Sequence, residues 1–445
     1  MLGPKRMRQI AQQMLAQSAA GQTEVVLLSE DKELTRFANS RIHQNVAERN
    51  VQVRVRAVSG KRIGVASTND LSDAALRQAA ENALEMALLQ PENPDFQSLP
   101  APKPLPEVES FVQATADSTP QQRAQAVGTI CRLATEDGLV ASGAFTTSSS
   151  ETAVSNSLGV FAYAPTTLSA LTTVIMSDNS SGYAAATSKD VREINAEQVG
   201  REAVDKALRS RNPRPLNPDE YTVILEEYAV ATMLMYLAYL GFGALAVQEG
   251  RSFMANRFGQ RITGENISIW DDGQDASGLP IPFDFEGMPK KRVDLITDGI
   301  ANAVVYDSYT ANKESKESTG HALPAPNTFG PFPGNLFMKP GKGSKERMLA
   351  SVDRGIWVTR LHYVNPVHPL KTILTGMTRD GTFWIENGEI KWATKNLRFT
   401  QNVLEALSTT QMIGEETKLS ESFYGGIRVP ALCIGRFAFT GATEF

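Results

Sequence analysis

Two cysteines, Cys131 and Cys433, are all that 445 residues contain. That is too few for a disulfide framework and suits a reducing compartment. Histidine is almost as scarce: His43, His321, His362 and His368 are the full set. No two stand four apart, so neither H-E-x-x-H nor a relative of it can be drawn. Basic charge is not in surplus, with 44 Lys plus Arg against 49 Asp plus Glu and a net charge of −5. A large phosphate-neutralising surface is therefore excluded, and nucleic acid with it as the primary partner. The opening Met1-Leu2-Gly3-Pro4-Lys5-Arg6 leads to Gln9, Gln12 and Gln13 without an apolar signal core, so a cytoplasmic location is expected. One long uncharged run exists, the 20 residues Tyr228 to Val247, enough to span a bilayer. It holds three tyrosines, a threonine and two glycines, and Glu226 and Glu227 precede it where basic anchors belong. It reads as a buried helix of a large domain, with no membrane partner.

Hydrophobic residues at 42% and charged residues at 21% match globular averages, and the length allows two or three domains. The amphipathic stretch Lys5 to Ala19 presents Met7, Ile10, Met14 and Leu15 on one stripe. Strands are expected at Glu24–Leu28, Leu34–Ala38, Arg41–Val46, Val51–Val58 and Arg62–Ser67, then a helix over Leu71–Leu89 stopped by Pro91. Prolines 91, 94, 100, 102, 104 and 106 mark residues 91–106 as a stiff, extended connector rather than a packed element. Helix Pro120–Glu136, Thr/Ser/Val-rich strands from Leu139 to Thr187 and helix Ala196–Arg211 then repeat the order, with no residue-level repeat visible. A second proline hinge at 212–218 separates an N-terminal domain, 1–216, from a C-terminal domain, 217–445. The latter is β-rich around one buried helix, with Asn387-Gly388 as its clearest hairpin signal. The class is α+β: helix, antiparallel meander and helix twice over, followed by that β-rich domain.

Candidates for chemistry each have a plain alternative. Asp271-Asp272-Gly273 offers hard-cation oxygens but fits a turn after a strand. Gly341-Lys342-Gly343-Ser344 fails phosphate-loop spacing, since Leu336 occupies the first glycine position. Cys433 lies in an apolar strand, Val429 to Ile434, where thiols are inert core. Ser180 and Ser181 lack elbow glycines. His362 and His368 share a loop, without an evident third ligand. Arg379 and Asp380 read as turn-fixing residues. Residue types and spacing alone yield no catalytic constellation.

The whole pattern, however, resembles the TldD/PmbA family. Leu34-Thr35-Arg36-Phe37-Ala38-Asn39-Ser40 with Ile42-His43-Gln44 is similar to its opening signature, and Gly64 to Asn69, Ile269 to Gly273 and Thr375 to Ile390 continue the likeness. The resemblance runs from about residue 20 to the end. It implies peptidase subunits, also called modulators of DNA gyrase. The TldD-type member holds zinc through H-E-x-x-x-H on a helix and a cysteine near the C-terminus. Its TldE/PmbA-type partner lacks those ligands, and the heterodimer cuts small unfolded peptides inside a chamber.

Laid on that helix, the positions of the two histidines and the glutamate fall on Met235, Tyr236 and Leu240 within about one residue. None suits a hydrolytic zinc: a thioether is soft, a phenol is a poor base near neutrality, and leucine has no lone pair. The cysteine position falls near Lys418 to Ser422, where no cysteine occurs. The resemblance thus implies a TldE/PmbA-type, metal-free chain, with zinc in a TldD-type catalytic partner and unfolded peptides as substrates. Substrate-groove candidates are His362 and Arg379. Two alternatives stand beside it. One is a stand-alone homodimeric peptidase with an unrecognised site, such as His362, His368 and Cys433; the other is a scaffold capturing extended peptides by strand addition.

Overall fold

The computed structural model describes residues 1–442. Helix α1 (Pro4–Gln17) is followed by three strands, β1 (Gln22–Ala38), β2 (Arg41–Ser59) and β3 (Arg62–Thr68), and by α2 (Asp73–Leu89). After the connector come α3 (Gln113–Ala116), α4 (Pro120–Glu136), β4 (Val140–Asn156), β5 (Phe161–Met176), β6 (Ser181–Ser188) and α5 (Ala196–Arg209). The five short strands expected in the first unit are in fact three. β1 and β2 run unbroken for 17 and 19 residues through their polar middles, because a continuous antiparallel ladder from Gln22↔Val58 to Ala38↔Arg41 satisfies the backbone there.

Both units share one six-stranded sheet, in the order β3-β2-β1-β4-β5-β6. β1 and β4 meet antiparallel at its centre, from Glu24↔Asn156 to Phe37↔Gly143. Alternation sends Val25 and Leu27 under α1 and α2, while Phe145 and Leu171 pack under α4 and α5. The opposite face carries Val26 and Val154, which meet Phe283 of the C-terminal half. The two halves of the sheet also share a residue pattern that the linear sequence does not reveal. At one margin, a Cβ on Gly64 of β3 would lie 2.2 Å from the Ala83 carbonyl and 2.3 Å from the Ala87 nitrogen of α2. At the other margin, a Cβ on Gly182 of β6 would lie 2.1 Å from the Ala203 carbonyl and 2.5 Å from the Ala207 nitrogen of α5. A glycine under an Ala-x-x-x-Ala helix thus closes each end. The connector, expected to stay unpacked, is extended but anchored: Phe96 and Leu99 are buried against Val58, and Asn156 Nδ2 donates to the Pro100 carbonyl at 2.8 Å.

Beyond residue 217, β7 (Glu220–Leu225) leads into α6 (Glu227–Gly241) and α7 (Ala244–Gln248). The uncharged run is therefore two helices, broken at Phe242-Gly243. Gly243 bridges to Val305, and a Cβ there would meet the Pro331 carbonyl at 2.4 Å. Among the described residues no helix is long and apolar enough to cross a membrane. The remaining strands are β8 (Ile269–Asp271), β9 (Val293–Thr297), β10 (Ile300–Ala301), β11 (Asn335–Met338), β12 (Arg354–His368), β13 (Ile373–Glu386), β14 (Glu389–Ala393), β15 (Leu397–Asn402), β16 (Thr410–Ser422) and β17 (Gly425–Ala442). Short helices α8 (Ser308–Lys313), α9 (Lys345–Ala350) and α10 (Val403–Ser408) interrupt them, so α6 is the long helix here but not the sole one. β7 pairs parallel with β12 and antiparallel with β17, which closes β17-β15-β13-β12-β7 into a ring. The class is α+β. Asn387 and Gly388 both take positive φ, 52° and 75°, at the β13–β14 turn, as their dipeptide foretells.

Gly64→Ala and Gly182→Ala are each expected to destabilise the chain by about 1–3 kcal/mol, since helix backbone rather than a flexible side chain must move. The urea midpoint of each variant measures the effect, and an unchanged midpoint at either position would refute the close helix contact there.

Candidate functional site

The site grows from the junction of β7 with α6. Leu225 ends the strand inside the ring, and the next two residues, Glu226 and Glu227, are 2% and 1% exposed. Two carboxylates at the first turn of a helix complement its macrodipole, but burial at this depth demands counter-charges as well. Glu226 Oε2 accepts from Lys206 Nζ at 2.7 Å, and Oε1 accepts from Trp357 Nε1 at 2.6 Å. Glu227 pairs with Lys345 at 2.9 Å. Lys206 also pairs with Glu202 at 2.7 Å, and Glu202 with Lys418 at 2.7 Å. Lys418 Nζ in turn donates to the Tyr228 hydroxyl at 2.9 Å. This chain of charges ties α5 of the first half to α6, α9, β12 and β16 of the second. Burial disfavours the charged form of Glu226, yet Lys206 and Lys345 outweigh it and hold its carboxyl below the usual range. Glu202 behaves alike, with Lys206 and Lys418 holding it down to about 2 against its burial.

One turn further along α6 lies a cavity of about 180 Å³. Thr232 and Met235 of α6 face it, opposite Arg360 of β12, Tyr183 of β6, and Ser420 and Glu421 of β16. The structure thus brings Met235 together with the segment where the family cysteine was expected. It does not bring the other two degenerate positions there. Tyr236 is partly buried and its hydroxyl donates to the Val364 carbonyl, while Leu240 is buried in the main core. The helix, whose sequence reads as apolar all round, in fact carries a partly exposed stripe of Thr232, Met235, Tyr236 and Tyr239. The donors around the cavity are a thioether, hydroxyls, a guanidinium and one carboxylate. That set does not match the three protein ligands and open position of a catalytic zinc. Among the described residues no group of three or more His, Cys, Asp or Glu could hold a metal ion.

His362 and Arg379 lie on the adjoining strands β12 and β13 but outside the cavity lining. Burial, then Arg379 and Arg360, keep His362 below its ordinary value, so the ring is neutral near pH 7. Its ring stacks edge-on with Tyr363 at 4.5 Å. Arg379 is solvated and sits 3.9 Å from Asp380, whose main partner is the forked guanidinium of Arg360. Asp380 also accepts from Ser181 Oγ at 2.7 Å, a second tie between the halves. His368 is exposed near the end of β12, whereas Cys433 is buried with Ile224, Met348 and Ala431, its thiol pushed up to about 11 by burial. His321 is fully buried: Nε2 lies 2.7 Å from Asp271 and Nδ1 lies 2.9 Å from Thr319. Asp271 thereby serves as its partner. The Lys206–Glu226 pair carried no local signal, since its members are 20 residues apart and on different elements.

A closed β-ring packed against a largely apolar helix, joined to a six-stranded sheet of two like halves, is the architecture of a class of metallopeptidases. Models of the PmbA/TldA metallopeptidase domain 1, central domain and C-terminal domain match residues 23–87, 107–211 and 218–441. The chain belongs to the PmbA/TldD metallopeptidase family. It is 25% identical over 393 residues to Metalloprotease PmbA of Escherichia coli O157:H7, covering 84% of this chain and 83% of that one. It is 26% identical over 320 residues to an uncharacterized protein of Methanocaldococcus jannaschii, covering 70% and 73%. The crystal structure of TldE from Thermococcus kodakarensis shares the fold with a TM-score of 0.89 at 22% identity, over 98% of this chain and 100% of that one. A putative modulator of DNA gyrase from Thermotoga maritima follows at 0.86 and 18%, over 98% and 100%.

Lys206→Met would leave Glu226 buried without its nearest counter-charge, and about 3–5 kcal/mol of stability is expected to go with it. Glu202 has its folded value depressed to about 2 from 4.5, so its contribution is complete above pH 4.5 and is lost as pH falls towards 2. Urea titrations across that window should show a steep decline in the wild type and a shallower one in the variant.

Proposed function

We propose that this chain is a TldE/PmbA-type, metal-free subunit of a TldD-type zinc metallopeptidase, working on small unfolded peptides in the cytoplasm. The observation that carries the reading is the cavity on α6, where Met235 and Thr232 stand among Arg360, Ser420 and Glu421. Family membership supplies the context of a peptidase, and this donor set supplies no metal seat. Hydrolysis then belongs to a partner that brings the zinc. This chain contributes chamber wall and peptide-facing surface, with Arg360 held by Asp380 as a fixed positive group at the cavity. His362 and Arg379, on the neighbouring strands, extend that surface. A homodimer in the absence of the partner is compatible with this role.

A second reading, peptide capture by strand addition, is favoured by one feature. β2 pairs with β3 only from Val53 onward, so Arg41 to Gln52 present a backbone edge without a second neighbour among the described residues.

Co-expression with a TldD-type chain is expected to yield a complex with one zinc per heterodimer and peptidase activity, whereas the isolated chain binds no stoichiometric zinc and cleaves nothing. Zinc counted by metal analysis on the isolated, active chain would overturn the reading. Tight binding of extended peptides by a chain that never associates with such a partner would favour the scaffold instead.

A further inference from the structure

Three lysine or arginine residues among those described are more than nine-tenths buried: Arg123, Lys206 and Lys290. Arg123 pairs with Glu33 at 2.5 Å, and Lys206 pairs with Glu226 and Glu202 at 2.7 Å. Lys290 is 6% exposed, yet among the described residues its ammonium has neither a hydrogen bond nor an ion pair. Solvent reaches the Nζ atom itself, so the ammonium is open to a ligand rather than sealed in the core. Its surroundings are not empty. Lys290 lines a cavity of about 270 Å³ between the first sheet and the C-terminal half, walled by the apolar side chains of Leu279, Phe283, Phe285 and Phe332.

Two of the acidic groups nearby are already engaged. Asp284 accepts backbone N–H groups from Glu286, Met288 and Ala322 at 2.8–2.9 Å. Asp271 is taken up by His321 and by the Asn335 backbone N–H, both at 2.7 Å. His321 has both ring nitrogens occupied, and burial together with Lys290 keeps it below its ordinary value, hence neutral. Glu30 and Glu421 also line the cavity and oppose any anion, a doubly charged one such as phosphate about twice as strongly as a singly charged one. What fits is a single negative charge attached to an apolar group. Glu421 also lines the Met235 cavity, so the two spaces adjoin along the end of β16.

We propose that this cavity binds the C-terminal carboxylate of a peptide whose last residue is apolar, with Lys290 as its charge partner. The proposal rests on the peptide-handling role above and names the end of the peptide that this chain recognises. A peptide anchored there extends past Glu421 towards Met235.

The test uses the full chain and a fluorescein-labelled Ala-Ala-Leu-Phe peptide as the free acid or the C-terminal amide, read by fluorescence polarisation. The acid is expected to bind at least tenfold more tightly than the amide. Lys290→Met should abolish that difference while the melting temperature stays equal, because no ion pair within the chain is removed. Equal binding of acid and amide overturns the proposal, and this comparison needs no variant. Full acid binding by a folded Lys290→Met variant overturns it too. Binding of N-acetylphenylalanine, read by calorimetry, with no binding of the labelled peptide would assign the cavity to small free carboxylates and overturn the peptide assignment. Because Lys290 takes no part in the ion-pair chain on α6, association of the variant with a TldD-type partner reads the subunit role separately.

Discussion

Lys206 and Glu226 meet at 2.7 Å where almost no water reaches, and much of the molecule is arranged around that contact. Glu226 occupies the residue between a strand that closes the ring and the helix that faces the cavity. Its partner comes from α5, an element of the other half of the chain. Neither ion can be buried alone, so the two halves are held in one geometry by the cost of separating them. Lys418, Glu202 and Tyr228 extend the same constraint to β16, which supplies Ser420 and Glu421 to the cavity wall. The position of the cavity residues is thus a consequence of charge pairing across the halves as well as of apolar packing.

The proposed reading, a metal-free chain within a metallopeptidase family, is consistent with how α6 is held. Carboxylates at the helix start, a closed ring around its strand and an apolar body position it. On that proposal Met235, Tyr236 and Leu240 stand where ligands would. In this structure Tyr236 bonds the Val364 carbonyl, Leu240 packs in the core and Met235 lines a small cavity.

Local patterns were legible in the sequence where they reported local physics. Pro120 and the run to Glu136 marked α4 to the residue, and Pro91 stopped α2 as expected. Asn387-Gly388 placed a hairpin. The degenerate positions at Met235, Tyr236 and Leu240 came through family resemblance, and the structure groups only Met235 with the β16 segment. What stayed hidden depends on tertiary placement. His321 looks like any loop histidine until Asp271 and Thr319 are brought to it. Lys290 precedes Lys291 and follows proline, a surface-like context, and its isolation is visible only once its neighbours are known. The long strands read as fragments because polar stretches are interpreted as breaks, although a paired backbone needs no apolar side chains.

The glycine under each terminal helix has a consequence for how the first half assembles. Its two modules, each a meander closed by a helix on glycine, meet through β1 and β4 as two separate chains might meet at a dimer axis. The connector joins them covalently, and a tether of that kind replaces free encounter with an effective concentration on the order of millimolar. The pseudo-symmetric pair therefore forms regardless of how dilute the protein is.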